Sequence, residues 1–201
     1  MTYVSVFLVL LTLLLGGCLR GGPRPPRGLV AAPVPTPEAL ALPTPAGPAQ
    51  SYIPPLGPGE GTEVGQQVPD VKLILLDGSV ISLKDLRGKG VVLNFWASWC
   101  APCRKEMPDL EQVWREYKGR GVMIIGIAVA DREASAREFA EKIGVSYPIS
   151  VDSTDQVSAL FAVKLLPTTL FIDSRGTIVR RQVGLLNLGT LRIFIEGILP
   201  P

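Results

Sequence analysis

The chain has 201 residues, 20 Lys and Arg against 18 Asp and Glu, and no histidine. A formal charge of +2 carries no polyelectrolyte signal for nucleic acid. Without histidine, Ser-His-Asp and Cys-His catalysis, histidine-ligated metals and CxxCH haem attachment are excluded. Acid–base work falls to carboxylates, thiols or water. The cysteines are Cys18, Cys100 and Cys103.

Tyr3 to Leu15 is apolar except for Ser5 and Thr12, and Leu15-Gly16-Gly17-Cys18 follows. Small residues before a cysteine, directly after a hydrophobic stretch, resemble a bacterial lipobox. The resemblance implies cleavage before Cys18 and its lipidation, giving durable membrane anchoring. Met1-Thr2-Tyr3 lacks the usual basic n-region, and Arg20, Arg24 and Arg27 follow the apolar segment instead. The alternative is an uncleaved anchor over Tyr3 to Leu19, at the short end of the spanning range. Residues 1–18 are therefore read as signal or anchor.

Residues 19–61 are read as a linker. Twelve of the 19 prolines fall between Pro23 and Pro58, among Gly, Ala and Thr. Such a composition cannot bury enough apolar surface to offset chain entropy, so a disordered, polyproline-leaning spacer is expected. Its reach is at most about 100 Å at about 3.1 Å per residue.

Residues 62–201 carry the pattern of one α/β domain. Asp77-Gly78 between Val71–Leu76 and Ser79–Leu83 predicts a β-hairpin. Leu83 to Gly88 reads as a short turn. Val91 to Trp96 is a buried strand, and it runs into Ala97-Ser98-Trp99-Cys100-Ala101-Pro102-Cys103. A dithiol at a strand-to-helix junction has a chemical reason for its place. First-turn N–H groups and the helix dipole stabilise a thiolate at Cys100. Cys103, one turn on, is close enough to close a disulfide, and Pro102 suits a first turn where no N–H is needed. Half of a zinc site is the other reading of such a pair. It needs four ligands, and only Cys18 remains, so no metal is expected.

Phe95-Trp96-Ala97-Ser98-Trp99-Cys100-Ala101-Pro102-Cys103 resembles the thioredoxin superfamily signature. It is most similar to the membrane-tethered TlpA/ResA-like thiol:disulfide oxidoreductases, over roughly Gly65 to the C-terminus. The resemblance implies a thioredoxin fold: a mixed central sheet flanked by helices, with an N-terminal β-hairpin extension. It also implies site roles. Asn94 stands where cytoplasmic thioredoxins carry a buried, titrating aspartate, and cannot serve that way. The tethered branch has a glutamate three residues after the second cysteine, which here is Glu106. On a helix that spacing shares a face, so a half-buried Glu106 with a raised pKa is expected to exchange a proton with Cys103.

The helix is predicted from Ala101 to Lys118, with Met107, Leu110, Val113, Trp114 and Tyr117 as its apolar stripe. Pro108 interrupts it as in thioredoxins and should kink it. Gly121 to Val129 is a second buried strand, Asp131 to Ile143 a helix, Ser146 to Val151 an edge segment and Asp155 to Ala162 a short helix. Asp131 and Asp152 are read as caps or turns rather than site acids. In Leu165-Leu166-Pro167-Thr168-Thr169 the resemblance implies a cis-proline at Pro167 facing the cysteines, with the backbone of Leu166 free to hold an extended substrate. Trp99, Ala101 and Pro102 complete the expected substrate surface, and Trp96 a structural position. Ile178 to Gly184 is the last strand and Gly189 to Leu199 the closing helix.

The chemistry so implied is thiol–disulfide exchange with exported partner proteins, with no cofactor beyond the Cys100–Cys103 pair. Family-level expectations are a monomer on the outer face of the membrane, a membrane dithiol electron donor, and apocytochrome c haem-site cysteines among the substrates. Ala101-Pro102 lacks the histidine of strongly oxidising relatives, which points to a reductant. The rivals are a peroxiredoxin-like thiol peroxidase and a tethered, non-enzymatic binding module. A peroxidase would need proline and threonine where Trp96 and Cys100 stand. A copper-delivery protein would need a CxxxC and a histidine.

Overall fold

The computed structural model of the protein describes residues 51–201. The stretch read as signal or anchor, 1–18, and most of the stretch read as linker, 19–61, lie outside the described residues. A two-stranded hairpin comes first, β1 (Lys72–Ile74) and β2 (Val80–Ser82), paired antiparallel. Gly78, at φ +84°, supplies the left-handed residue its turn needs.

The main sheet has five strands in the order β5-β4-β3-β6-β7. These are β3 (Gly90–Trp96), β4 (Val122–Val129), β5 (Ile149–Asp152), β6 (Thr168–Ile172) and β7 (Ile178–Val183). β3 runs parallel to β4 and antiparallel to β6, so the sheet is mixed, as expected. The helices are α1 (Ala101–Tyr117), α2 (Glu133–Ile143), α3 (Gln156–Leu160) and α4 (Leu188–Glu196). Predicted and observed ends agree within a few residues.

All seven residues of β3 are buried because the sheet is covered on both faces. Val92 and Trp96 join a core with Met107, Leu110 and Val113 of α1, Ala136 of α2 and Leu191 of α4. Val91, Leu93 and Phe95 join the other core, with Leu73 of the hairpin and Val157 of α3. Each such apolar side chain contributes roughly 1.5–3 kcal/mol on burial. Pro108 lies inside α1 on its exposed side, where the lost backbone bond faces solvent.

One boundary differs from the sequence reading. Tyr52, assigned by composition to the linker, exchanges two backbone hydrogen bonds of 3.0 Å with Lys72. The Lys72 ammonium also lies 5.9 Å from the Tyr52 ring centroid. The edge of β1 offers unpaired backbone groups, and this stretch of the proline-rich segment satisfies them. The chain is thus paired to the hairpin at Tyr52, ahead of Thr62.

Candidate functional site

β3 ends at Trp96, and the chain turns through Ala97-Ser98-Trp99 into α1, placing Cys100 at the N-cap. Cys100 and Cys103 are joined as a disulfide, with Cα atoms 5.3 Å apart. The backbone N–H of Cys103 donates to Cys100 Sγ at 3.3 Å. This is the first-turn donor that the sequence placed against the first sulfur, and it favours a thiolate there on reduction. Cys100 is 6% exposed and Cys103 1%, so an incoming nucleophile or disulfide meets Cys100 more readily.

Glu106 lies one turn further along α1 and is 1% exposed, so the half-buried carboxyl expected from sequence is fully enclosed. Its Oε1 accepts from Asn94 Nδ2 at 2.7 Å and its Oε2 from the Leu186 N–H at 2.7 Å. The second amide hydrogen of Asn94 goes to Thr169 Oγ1 at 3.0 Å, across the β3–β6 register pair. Burial pushes the Glu106 carboxyl up to about 7; the Leu186 N–H and the Asn94 amide hold it down, and Asp109 adds a small upward push. Asn94, expected as a structural residue, is thus the side-chain partner of Glu106.

The Leu166–Pro167 bond is cis, as expected. Pro167 is buried and Leu166 half-buried, while Trp99, Ala101 and Pro102 are exposed. The hydroxyl of Thr168 donates to the Leu165 carbonyl at 2.7 Å and pins this loop. Neither the N–H nor the carbonyl of Leu166 has a backbone partner among the described residues. Trp99 is 63% exposed, and its indole N–H reaches the Ala130 carbonyl at 3.4 Å. Trp96 is fully buried.

The carboxylate read from sequence as a cap or turn at Asp131 has a longer reach. The N-cap of α2 is Arg132, which makes no side-chain cap bond. Asp131 is 7% exposed and accepts from the Ser98 N–H at 2.6 Å and the Ser98 hydroxyl at 3.0 Å, besides the N–H of Arg132. It therefore ties the loop after β4 to the loop that delivers Cys100. Asp152 does act as a cap, accepting from the N–H groups of Val157 and Ser158 at the start of α3.

A disulfide at a helix N-terminus, one turn before an enclosed carboxyl of raised pKa, can take up and release two electrons by thiol exchange. The class so defined is that of thioredoxin-fold thiol–disulfide oxidoreductases, and this chain is an enzyme of that kind. A family model described as AhpC/TSA matches residues 64–181, and the chain belongs to that family. It is similar to the thiol-disulfide oxidoreductase ResA of Geobacillus kaustophilus, 39% identical over 68% of this chain and 79% of that protein. A thioredoxin-family thiol:disulfide interchange protein from Chlorobium tepidum superposes with a TM-score of 0.62 at 27% identity, over 66% of this chain and 94% of its own. A secreted Mycobacterium tuberculosis disulfide oxidoreductase, homologous to DsbE of E. coli, gives 0.57 at 25% identity, over 63% of this chain and 94% of its own.

Proposed function

We propose that the domain reduces disulfides in exported proteins, held at the outer face of a membrane by its N-terminus. Reduced Cys100, as thiolate, attacks one sulfur of the partner's disulfide. A mixed disulfide forms and the partner's other sulfur leaves as thiolate. Cys103 passes its proton to Glu106 and attacks Cys100 Sγ. The Cys100–Cys103 disulfide closes and the partner's second sulfur is released, so two electrons have moved to the partner. The electrons are carried by the cysteines themselves and no bound cofactor is needed.

The observation that carries this reading is the Cys100–Cys103 disulfide at the N-cap of α1 with an enclosed Glu106, its carboxyl pushed up to about 7, one helical turn after Cys103. Trp99, Ala101, Pro102 and the free backbone of Leu166 beside Pro167 form the surface that takes the partner's extended segment. A membrane dithiol carrier returns the domain to the reduced state, and cysteines at apocytochrome c haem sites are the substrates the family resemblance favours.

The reduction potential of the Cys100–Cys103 pair, from equilibration in dithiothreitol and glutathione buffers, is the test. A value near or below about −250 mV, the thioredoxin range, supports a reductant. A value near about −120 mV reverses the direction of electron flow. Absence of a reversible two-electron couple removes the exchange mechanism.

A further inference from the structure

Beside the reactive disulfide, between the first turn of α1 and the end of α2, lies an open groove of about 480 Å3. It is lined by Ala101, Arg104, Lys105, Phe139, Lys142 and Ile143. Three of the six lining residues are cationic and none is acidic. No ion pair among the described residues involves Arg104, Lys105 or Lys142. Glu106, next to Lys105, is buried and bonded to Asn94 and Leu186, and Asp109 and Glu138, each one helical turn from Lys105 and Lys142, form no ion pair with them. Glu141 lines a different groove, beside Leu75 and Asp77. The floor is apolar: Phe139 and Ile143 are half-buried, and the Arg104 guanidinium sits 5.1 Å from the Phe139 ring centroid.

We propose that this groove docks an acidic segment of the partner polypeptide, adjacent to the partner's reacting cysteine, and so selects acidic disulfide substrates. The proposal rests on the exchange reading above. Two features of the site fix the occupant. The first is charge complementarity: three unpaired cations around an apolar floor attract Asp and Glu side chains and repel Lys and Arg. The second is continuity with the reacting sulfur. Ala101 lines the groove and directly follows Cys100, so a segment seated there presents its cysteine within about one residue of the bond being exchanged. The cations act on encounter and register, and the bond chemistry stays with Cys100 and Cys103.

The test uses the reduced 201-residue chain and three model peptides. All share one disulfide-closed core, flanked by Glu, by Gln or by Lys. Each peptide's reduction rate is divided by its rate with dithiothreitol, which removes the peptide's own reactivity. At about 20 mM ionic strength the Glu peptide is expected to react about tenfold faster than the Lys peptide. In about 0.5 M salt the difference should shrink to about twofold or less. The double variant K105E/K142E should reverse the order of the Glu and Lys peptides, each measured against the Gln peptide with the same protein. Equal normalised rates for the three peptides at low salt would overturn the proposal while leaving disulfide exchange intact. A Glu preference that ignores salt, or that survives K105E/K142E, would overturn it too. If even the Gln peptide is inert, the exchange reading fails and this one with it. The salt arm needs no variant, so it decides the matter even where K105E/K142E folds poorly.

Discussion

Asn94 Nδ2 lies 2.7 Å from Glu106 Oε1, inside the sheet–helix core and out of reach of solvent. The central strand thus presents a neutral hydrogen-bond donor to the carboxyl beneath the cysteines, where a second acid would compete for its proton. Asn94 Oδ1 has no partner among the described residues. The amide can therefore turn over and accept a hydrogen bond when Glu106 holds its proton. A single side chain accommodates both protonation states of Glu106.

Stability should fall as pH rises through neutrality, and Glu106 is the cause. Its carboxyl titrates at about 7 in the folded oxidised domain against 4.5 when free. The folded state prefers the protonated form, so the contribution is complete below about 4.5 and lost as pH rises through about 7. Its size is on the order of 3 kcal/mol. Urea midpoints measured from pH 5 to 8 should decline for the oxidised wild-type domain and lie flat for Glu106→Gln. Gln keeps the site filled, because its amide can donate to a turned Asn94 Oδ1. The same variant should prolong the mixed disulfide by about tenfold to a hundredfold, since Cys103 loses its proton acceptor.

Asn94→Asp replaces the donor by an acid of the same shape. Two carboxyls in hydrogen-bond contact cannot both ionise, so they share one proton and titrate as a pair. At pH 5 the variant should melt close to wild type. At pH 8, where the proton is drawn off, it should lose about 3 kcal/mol or more. Thermal melts at the two pH values read this directly. An equal loss at both would mean that Asn94 matters for its packing and not for Glu106.

Much of this was legible in the chain because the signals are local. The apolar run at Val91–Trp96 marks the central strand, Asp77-Gly78 marks the hairpin turn, and the cysteine spacing marks the start of α1. What was not legible depends on which distant loops close on which side chains. The Leu186 N–H that meets Glu106 is 80 residues away, and Ser98 is 33 residues from Asp131. Asp131 sits just before a helix, where an N-cap would, and its turn toward Ser98 leaves no trace in the local pattern. Tyr52 was hidden differently: the prolines around it dominate the composition, while the edge of β1 that recruits it is known only from the fold.

Asp131→Ala should loosen the loop that delivers Cys100. The carboxylate holds the N–H and hydroxyl of Ser98 together, and its loss leaves a part-buried amide without a partner. A cost of about 2–4 kcal/mol follows from removing charged hydrogen bonds. Hydrogen exchange at the Ser98 amide should rise by more than the global loss of stability accounts for, and the fluorescence anisotropy of Trp99 should fall. Protection of Ser98 that tracks global stability alone would show that the tie is not what orders the loop.

Gly126 is the place where the sheet makes room for Trp96. A Cβ there would come 3.0 Å from Trp96 Nε1 and 3.2 Å from Tyr147 Cε2. Both side chains are buried, Trp96 completely, and the Trp96 ring also packs against Phe139 at 5.9 Å between centroids. Neither ring has free space to give, so Gly126→Ala should cost about 1–3 kcal/mol by overpacking. Trp96 ends the strand that feeds the loop to Cys100, so any tilt of the indole is passed toward the disulfide. The indole N–H has no protein partner among the described residues, so shrinking Trp96 to Phe forfeits packing but no hydrogen bond to protein. The double variant Gly126→Ala, Trp96→Phe should therefore recover part of the loss. A coupling of about 1 kcal/mol or more in a double-mutant cycle, read from urea unfolding, is the expected outcome. Strict additivity would place the strain of the new methyl on Tyr147 instead, and Tyr147→Phe would leave that strain in place because the crowded ring edge is unchanged.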